Sequence, residues 1–411
     1  MRLLFYSHDG LGLGHTRRHL AIAGALTCLA PECSVLLASG ADDAVRMGLP
    51  PRVEILKLPG LRKVANDQYF ARRLRVPAQD IRALRSALLL TAVKSFRPHV
   101  ILVDKHPFGV NGELRHGLEV VRARGGRTVL GLRDILDDRA TVLNEWAPNR
   151  LQEQIARHYD LMLVYGEQAV FDPLVEYDFP PSMAARTRFC GYVVNREEPV
   201  PRVESGEWRV ESCGSKPVVL ATTGGGEDGF FLLENFIRAA DNAPWDGLVA
   251  AGPMTPVHEL KTLQSLAAQH QVALRTFVPS LSSLFGSVDA LVCMGGYNTL
   301  AEAAAKGVPT VCVPRMAPRS EQFLRSRAFE RLGVLRTLRP ERLNVAALRE
   351  AVDEAVRVSR ADLLARAQTQ LRFDGATQAA RHLLALGRRI TKSEIRSPKR
   401  MTKSECLMTN E

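Results

Sequence analysis

The sequence predicts an α/β protein of two doubly wound, Rossmann-like domains facing each other across a cleft. Three observations carry that expectation. The chain has 411 residues, more than one hydrophobic core usually organises, since single cores stop growing at roughly 250–300 residues. Short apolar runs rich in β-formers alternate with longer helical patterns in both halves, the signature of βαβ units and a mostly parallel sheet. A polar stretch, NREEPVPRVESGEWRVESCGSKP, interrupts the alternation midway and cannot supply a core strand. Hydrophobic residues at 46% and charged residues at 24% are ordinary for a chain that buries a sizeable core.

Taken in order, RLLFYS, CSVLLAS, RVEILKL, HVILVD, RTVLGLRD and DLMLVYG read as strands of a first domain over residues 1–194. Residues 195–215 read as the interdomain linker, rich in proline and charge. From residue 216 the alternation restarts with PVVLATT, DGLVAAG, VALRTFVP, DALVCM, VPTVCVP and VLRTL, and helical patterns then continue to 389. Residues 390–411 lose periodicity and read as a disordered basic tail. Twin domains of this kind bind ligands where the carboxyl ends of their strands meet.

No run approaches the ~18 consecutive apolar residues of a membrane span, and MRLLFYSHDG lacks the basic-then-apolar order of a signal peptide, so a cytoplasmic protein is expected. The seven cysteines include no CxxC pair and several lie inside apolar runs, so they read as reduced and free of zinc. The formal charge of +11 is largely local, in residues 61–97 and in the tail. A solvated helix face explains the first cluster; an anionic acceptor or acidic lipid headgroups at a membrane surface are the competing explanation. No aromatic-interleaved basic strand or nucleic-acid module accompanies the charge, so nucleic acid is not the expected partner.

The loop His8-Asp9-Gly10-Leu11-Gly12-Leu13-Gly14-His15 follows the first strand and opens a helix. Gly12 and Gly14 let backbone N–H groups and a helix N-terminus approach a polar ligand. A dinucleotide fingerprint fails on spacing: its third glycine falls on His15 or on Arg17, and the second strand ends in Ala38-Ser39-Gly40 without an acid. His15 is instead a candidate general base, with Asp9 or Asp104 orienting it or substituting for it; a helix cap or a ligand-positioning donor is the plainer alternative. Asp104, His106 and Asp134 all fall at strand ends that face the cleft.

In the second domain, PVVLATT runs into Gly224-Gly225-Gly226 and then a helix. The loop lacks the GK[ST] of a Walker motif and reads as a phosphate cradle made of backbone donors. Later, DALVCMGGYNTLAEAAAKGVPTVCVPRMAPRSEQF places Gly295-Gly296 at a strand end and a helix directly after it. Asn298 or Thr299 can cap that helix, Glu302 can accept from ribose hydroxyls, and Glu321 and Gln322 can bind sugar hydroxyls. No carboxylate cluster of the DxD kind stands at a strand end, so no metal is expected.

Residues 295–322 resemble the C-terminal nucleotide-sugar motif of glycosyltransferase family 28 and its UDP-glycosyltransferase relatives. The loop 10–15 is similar to the N-terminal glycine-rich loop of the peptidoglycan N-acetylglucosaminyltransferases. The resemblance implies a GT-B fold and a transferase with no cofactor, the nucleotide sugar being its substrate. It also implies that Glu302 holds the ribose, that 224–226 and 295–299 hold the diphosphate, and that Glu321 and Gln322 hold the donor sugar. Val278, with Arg275 nearby, then meets the base, and His15 stands near the acceptor. This chain departs from the pattern at Glu321-Gln322, where relatives often carry Asp-Gln or Gln-Gln, and at Tyr297, where a small residue or histidine is commoner.

The expectation is a transfer of a hexose or N-acetylhexosamine from a nucleotide sugar, UDP foremost, to the hydroxyl of a glycan, lipid-linked intermediate or small molecule. Two readings compete. An epimerase or hydrolase on the same scaffold would consume donor without any acceptor, and a non-catalytic nucleotide-sugar binder would keep its role without His15.

Overall fold

The computed structural model describes residues 1–7, 14–41, 48–65, 68–195, 216–278 and 281–396. Asp9, Gly10 and Gly12, most of the linker (196–215) and the end of the tail (397–411) lie outside the described residues.

The first domain is a seven-stranded sheet, all of whose strand pairs are parallel, in the order β3-β2-β1-β6-β7-β8-β9. Its strands are β1 (Arg2–Ser7), β2 (Ser34–Ser39), β3 (Val53–Lys57), β6 (Val100–Asp104), β7 (Arg127–Arg133), β8 (Leu161–Tyr165) and β9 (Thr187–Phe189). β6 is buried at every position, which is why it reads as a continuous apolar run rather than an alternating one. A two-stranded antiparallel ribbon, β4 (Leu61–Ala65) with β5 (Gln68–Ala71), stands apart from the main sheet.

The second domain repeats the plan with six parallel strands in the order β12-β11-β10-β13-β14-β15. They are β10 (Val218–Thr222), β11 (Asp246–Ala250), β12 (Ala273–Arg275), β13 (Ala290–Cys293), β14 (Thr310–Cys312) and β15 (Arg336–Thr337). In each sheet the strand order reverses beside the first strand, between β1 and β6 and between β10 and β13. Such a switch point opens a crevice at the carboxyl ends, because the flanking helices leave on opposite faces.

Two expectations change. Residues 61–97 are not one solvated helix face: they hold the β4–β5 ribbon and then α2 (Ala78–Phe96). Within α2, Arg85 is buried against Glu113, at 2.7 Å (Nε–Oε2) and 2.6 Å (Nη2–Oε1), and Tyr6 Oη donates to the same carboxylate at 2.5 Å. One of the arginines counted as surface charge is therefore a core residue, paired because a lone buried cation is too costly.

The second change concerns the C-terminus. Helix α14 (Gly375–Arg396) continues through residues 390–396, which were expected to be disordered, and it packs on the first domain against α1 (Gly14–Leu29), β6 and β7. Ala379, Ala380, Leu383 and Leu384 join the core that contains Leu3, Phe5 and Leu26. The chain thus crosses between domains twice, and the crossings are laced together. Tyr192 N–H donates to the Arg372 carbonyl at 2.7 Å, and Gly375 N–H to the Tyr192 carbonyl at 3.1 Å. Among the described residues no helix is long and apolar enough to cross a membrane.

Candidate functional site

Both switch points face the same cleft, and the sequence candidates collect there. Asp104 ends β6 in register with Ser7 at the end of β1, and α1 begins at Gly14 and His15. Across the cleft, Thr222 is in register with Cys293; the 224–226 loop follows the first and Gly295-Gly296 the second.

On the first domain, Asp104 is fully buried. Its Oδ2 accepts from Arg18 Nε at 3.1 Å and Nη2 at 2.6 Å, and His15 Nδ1 lies 3.1 Å away. Burial alone raises its pKa, but Arg18, His15 and His19 outweigh that and hold the carboxyl well below the usual range. It is therefore an ionised partner for His15 and Arg18 rather than a proton acceptor at neutral pH. His15 is only slightly exposed and shares its Nδ1 between Asp104 and Arg18 Nη2, the latter at 2.9 Å.

Two members of this cluster escaped the sequence reading. Arg18 has its guanidinium 5.1 Å from the ring centroids of both Tyr165 and Tyr297, a cation–π sandwich that joins the domains. His19 is buried with Nδ1 2.8 Å from Ser7 Oγ and Nε2 unpartnered. The signal was present in His15-x-x-Arg18-His19, where spacings of three and four place all three on one side of a helix.

On the second domain, β13 hands over to α10 (Tyr297–Ala305), whose N-cap is Gly296 with no side-chain cap. Neither Asn298 nor Thr299 caps it, contrary to expectation, because helix φ/ψ begins one residue earlier. Asn298 Nδ2 instead donates to the Gly14 carbonyl at 3.3 Å, bridging the two glycine loops. Gly295 has φ +87° and a Cβ there would come within 3.2 Å of the Gln322 carbonyl, so this turn needs glycine. Gly226 has φ +91°, and a Cβ would meet the Ala251 carbonyl at 2.6 Å. Gly224 also has positive φ, and the Gly225 carbonyl accepts from Met254 N–H at 2.8 Å. Val278 follows β12 and packs partly buried against the core.

Glu302 lies one turn into α10, buried, and reaches the first domain and its exit. Its Oε1 accepts from Arg17 Nη2 at 3.3 Å and from Asn195 Nδ2 at 3.1 Å. Burial raises its pKa, with Arg17 and Lys306 pulling the other way. Glu321 and Gln322 open α11 (Glu321–Arg331). Arg315 ties them together: Glu321 Oε1 accepts from its Nη2 at 3.1 Å, Gln322 Oε1 from its backbone N–H at 3.1 Å, and Asp228 Oδ2 from its Nη1 at 2.7 Å. The expected diphosphate, ribose and sugar residues thus converge on one edge of the second sheet.

The domains meet through charge as well as through these contacts. Arg325 and Asp134 are bonded at 2.9 Å (Nε–Oδ2) and 2.7 Å (Nη2–Oδ1), with side chains 1% and 2% exposed. Arg325 Nη1 also donates to the Gly295 carbonyl at 3.3 Å. Val193 N–H donates to Tyr297 Oη at 3.0 Å. Ser320 and Arg319 bond Asp137, and Arg319 also pairs with Glu145.

Buried polar atoms without partners gather at these strand ends. Among the described residues nine such side-chain atoms occur, and seven line these strand ends: His19 Nε2, Asp104 Oδ1, Arg133 Nε, Tyr165 Oη, Tyr192 Oη, Arg315 Nε and Glu321 Oε2. Unpartnered buried groups are costly and rare, so seven of them around one set of strand ends single out this part of the molecule.

Comparison with known proteins bears on the fold and on part of the second domain. Residues 248–382 match the glycosyltransferase family 28 C-terminal domain. Over nearly the whole chain the likeness to solved structures is one of fold, and that fold is GT-B. SnogD from Streptomyces nogalater superposes with a TM-score of 0.61 at 18% identity, covering 94% of this chain and 100% of that one. MurG of Acinetobacter baumannii gives 0.57 at 15% identity, covering 94% and 99%. Among curated sequences, the NDP-glycosyltransferase YjiC of Bacillus licheniformis is 28% identical over 37% of this chain and 37% of its own length. A UDP-N-acetylglucosamine–N-acetylmuramyl-(pentapeptide) pyrophosphoryl-undecaprenol N-acetylglucosamine transferase of Corynebacterium efficiens is 28% identical over 40% and 44%. The chain thus spans less than half the length of these curated relatives.

The site's electrostatics predict a pH signature. Burial lowers the pKa of His19 to about 3, whereas in the unfolded chain it titrates near 6.5. The unfolded state therefore binds the extra proton first, and stability falls as pH drops from about 6.5 towards about 3, by at most ~1.4 kcal/mol per pH unit. Urea unfolding between pH 6.5 and 4.5 should show this slope in the wild type and a shallower one in His19→Asn. Equal slopes would contradict the buried neutral histidine.

Proposed function

We propose that the protein is a glycosyltransferase that moves a hexose or N-acetylhexosamine from a nucleoside diphosphate sugar, UDP the leading base, to an acceptor hydroxyl. The observation that carries the reading is the gathering of α10's uncapped N-terminus, the 224–226 loop, Glu302 and the Glu321-Gln322 pair about one switch point, all but the 224–226 loop within the residues that match the family 28 domain. Helix N–H groups and glycine backbone suit a diphosphate, Glu302 suits ribose hydroxyls in exchange for Arg17 and Asn195, and the orphaned Glu321 Oε2 suits a sugar hydroxyl.

In the reaction, the acceptor oxygen bonds to the anomeric carbon while the bond from that carbon to the diphosphate oxygen breaks. The hydroxyl proton passes to His15, which Asp104 orients and whose imidazolium Asp104 stabilises. Asp9 remains the second candidate for that proton. The nucleotide sugar is a substrate, so the reading calls for no bound cofactor, and it is metal-independent because the diphosphate is held by backbone donors.

Calorimetric titration with UDP-N-acetylglucosamine and UDP-glucose tests the donor side. Glu302→Gln should keep the fold and weaken binding roughly tenfold or more, the loss expected when a charged acceptor is neutralised. Unchanged affinity would remove Glu302 from the site.

On the acceptor side, a peripheral position at the inner face of a membrane is favoured by one surface, consistent with a role in cell-envelope or polysaccharide synthesis. Phe70, Leu74, Val76 and Leu84 are 41–52% exposed and alternate with the exposed Arg73 and Arg75. An apolar patch among cations fits an anionic lipid surface. Co-sedimentation with phosphatidylglycerol vesicles should exceed that with phosphatidylcholine and drop in the double variant Leu74→Glu, Arg75→Glu. Equal binding of variant and wild type would exclude the patch.

A further inference from the structure

Arg133 has no role in the scheme above, yet its surroundings single it out. It ends β7, one residue before Asp134. Its Nε is buried without a hydrogen-bond partner, and it forms no ion pair among the described residues. The two arginines that flank it are both satisfied: Arg18 by Asp104 and Arg325 by Asp134. Burial lowers the pKa of Arg133 to about 10, with the like charges of Arg325 and Arg18 adding to the effect and Glu321 and Asp104 opposing it. It is still a cation at neutral pH, partly buried beside two other cations. Such a group costs stability, and an anion entering the cleft would recover that cost.

Position identifies the anion. Arg325 donates to the Gly295 carbonyl, and Arg18 lies over the ring of Tyr297. The flanking arginines thus reach the turn before α10 and its first residue, where the N-terminus carries no side-chain cap. At the same spot Asp104 Oδ1 and Glu321 Oε2, in residues at most 6% exposed, also lack partners.

We propose that Arg133 is a phosphate ligand supplied by the first domain, taking the donor's diphosphate from the side opposite the N-terminus of α10. The inference rests on the donor reading above. When the bond from the anomeric carbon to the diphosphate oxygen breaks, the electron pair stays on that oxygen and the diphosphate gains a negative charge. The guanidinium then meets that charge with forked donors, so stabilisation of the leaving group requires both domains. Because the charge is unpaired without ligand, Arg133 is a binding residue maintained at the expense of the ligand-free fold.

Two measurements on the full chain test this together: calorimetric titration with UDP, dTDP and GDP, and thermal unfolding without ligand, for wild type, Arg133→Met and Arg133→Lys. The expected result is that Arg133→Met weakens the best-bound nucleotide roughly tenfold or more while its ligand-free melting temperature equals or exceeds that of wild type; Arg133→Lys keeps part of the affinity. Affinity in Arg133→Met within about twofold of wild type, where a charged hydrogen bond predicts far more, overturns the inference alone. A lowered ligand-free melting temperature in Arg133→Met also overturns it, by assigning Arg133 a structural role. If wild type binds none of the three nucleotides, the donor reading falls and takes the inference with it.

Discussion

The buried ion pair between Arg325 and Asp134 is the contact on which the arrangement of the two domains turns. Each partner is almost wholly removed from water, so neither tolerates loss of the other. The pair fixes which edge of the second domain faces which strand end of the first. Arg18 with Asp104, the Arg18–Tyr297 stacking and the Val193–Tyr297 hydrogen bond then follow in the same layer. Two crossings of the chain, laced together at 192 and 372–375, join the domains beside that layer. The carboxyl ends of both sheets are thereby brought face to face, and the unpartnered polar atoms lie between them.

The two faces of that cleft differ in kind. The second domain offers backbone: glycine turns with positive φ and a helix N-terminus suited to a diphosphate, with carboxylates around it for hydroxyls. The first domain offers titratable side chains, His15, His19 and Asp104, gathered about Arg18. One face thus suits a diphosphate and hydroxyl groups, and the other suits proton transfer.

Much of this was legible in the sequence. Every apolar run singled out as a strand became one, because parallel strands buried on both faces must be continuously apolar. The glycine positions at 224–226 and 295–296 were visible because a residue type that tolerates positive φ stood directly after a strand. What stayed hidden depended on partners distant in sequence. Nothing local to α2 shows that Arg85 is buried, since Glu113 lies 28 residues away. Nothing in α14 shows that its apolar side belongs to the first domain. The capping role expected of Asn298 and Thr299 failed because the N-cap is Gly296 and both lie inside the helix, where Asn298 instead bonds the Gly14 carbonyl of the other domain. Arg133 carries no local mark in the sequence; only its neighbours in the fold show its Nε buried without a partner.

The central claim is that one nucleotide sugar is held by both domains at their switch points. Amide hydrogen exchange of the full protein with and without UDP-N-acetylglucosamine tests it most directly. The account predicts that the ligand slows exchange in two separated segments at once, residues 14–19 at the start of α1 and residues 295–302 at the start of α10. Protection confined to one domain, or absent from both segments while the ligand is bound, would contradict it.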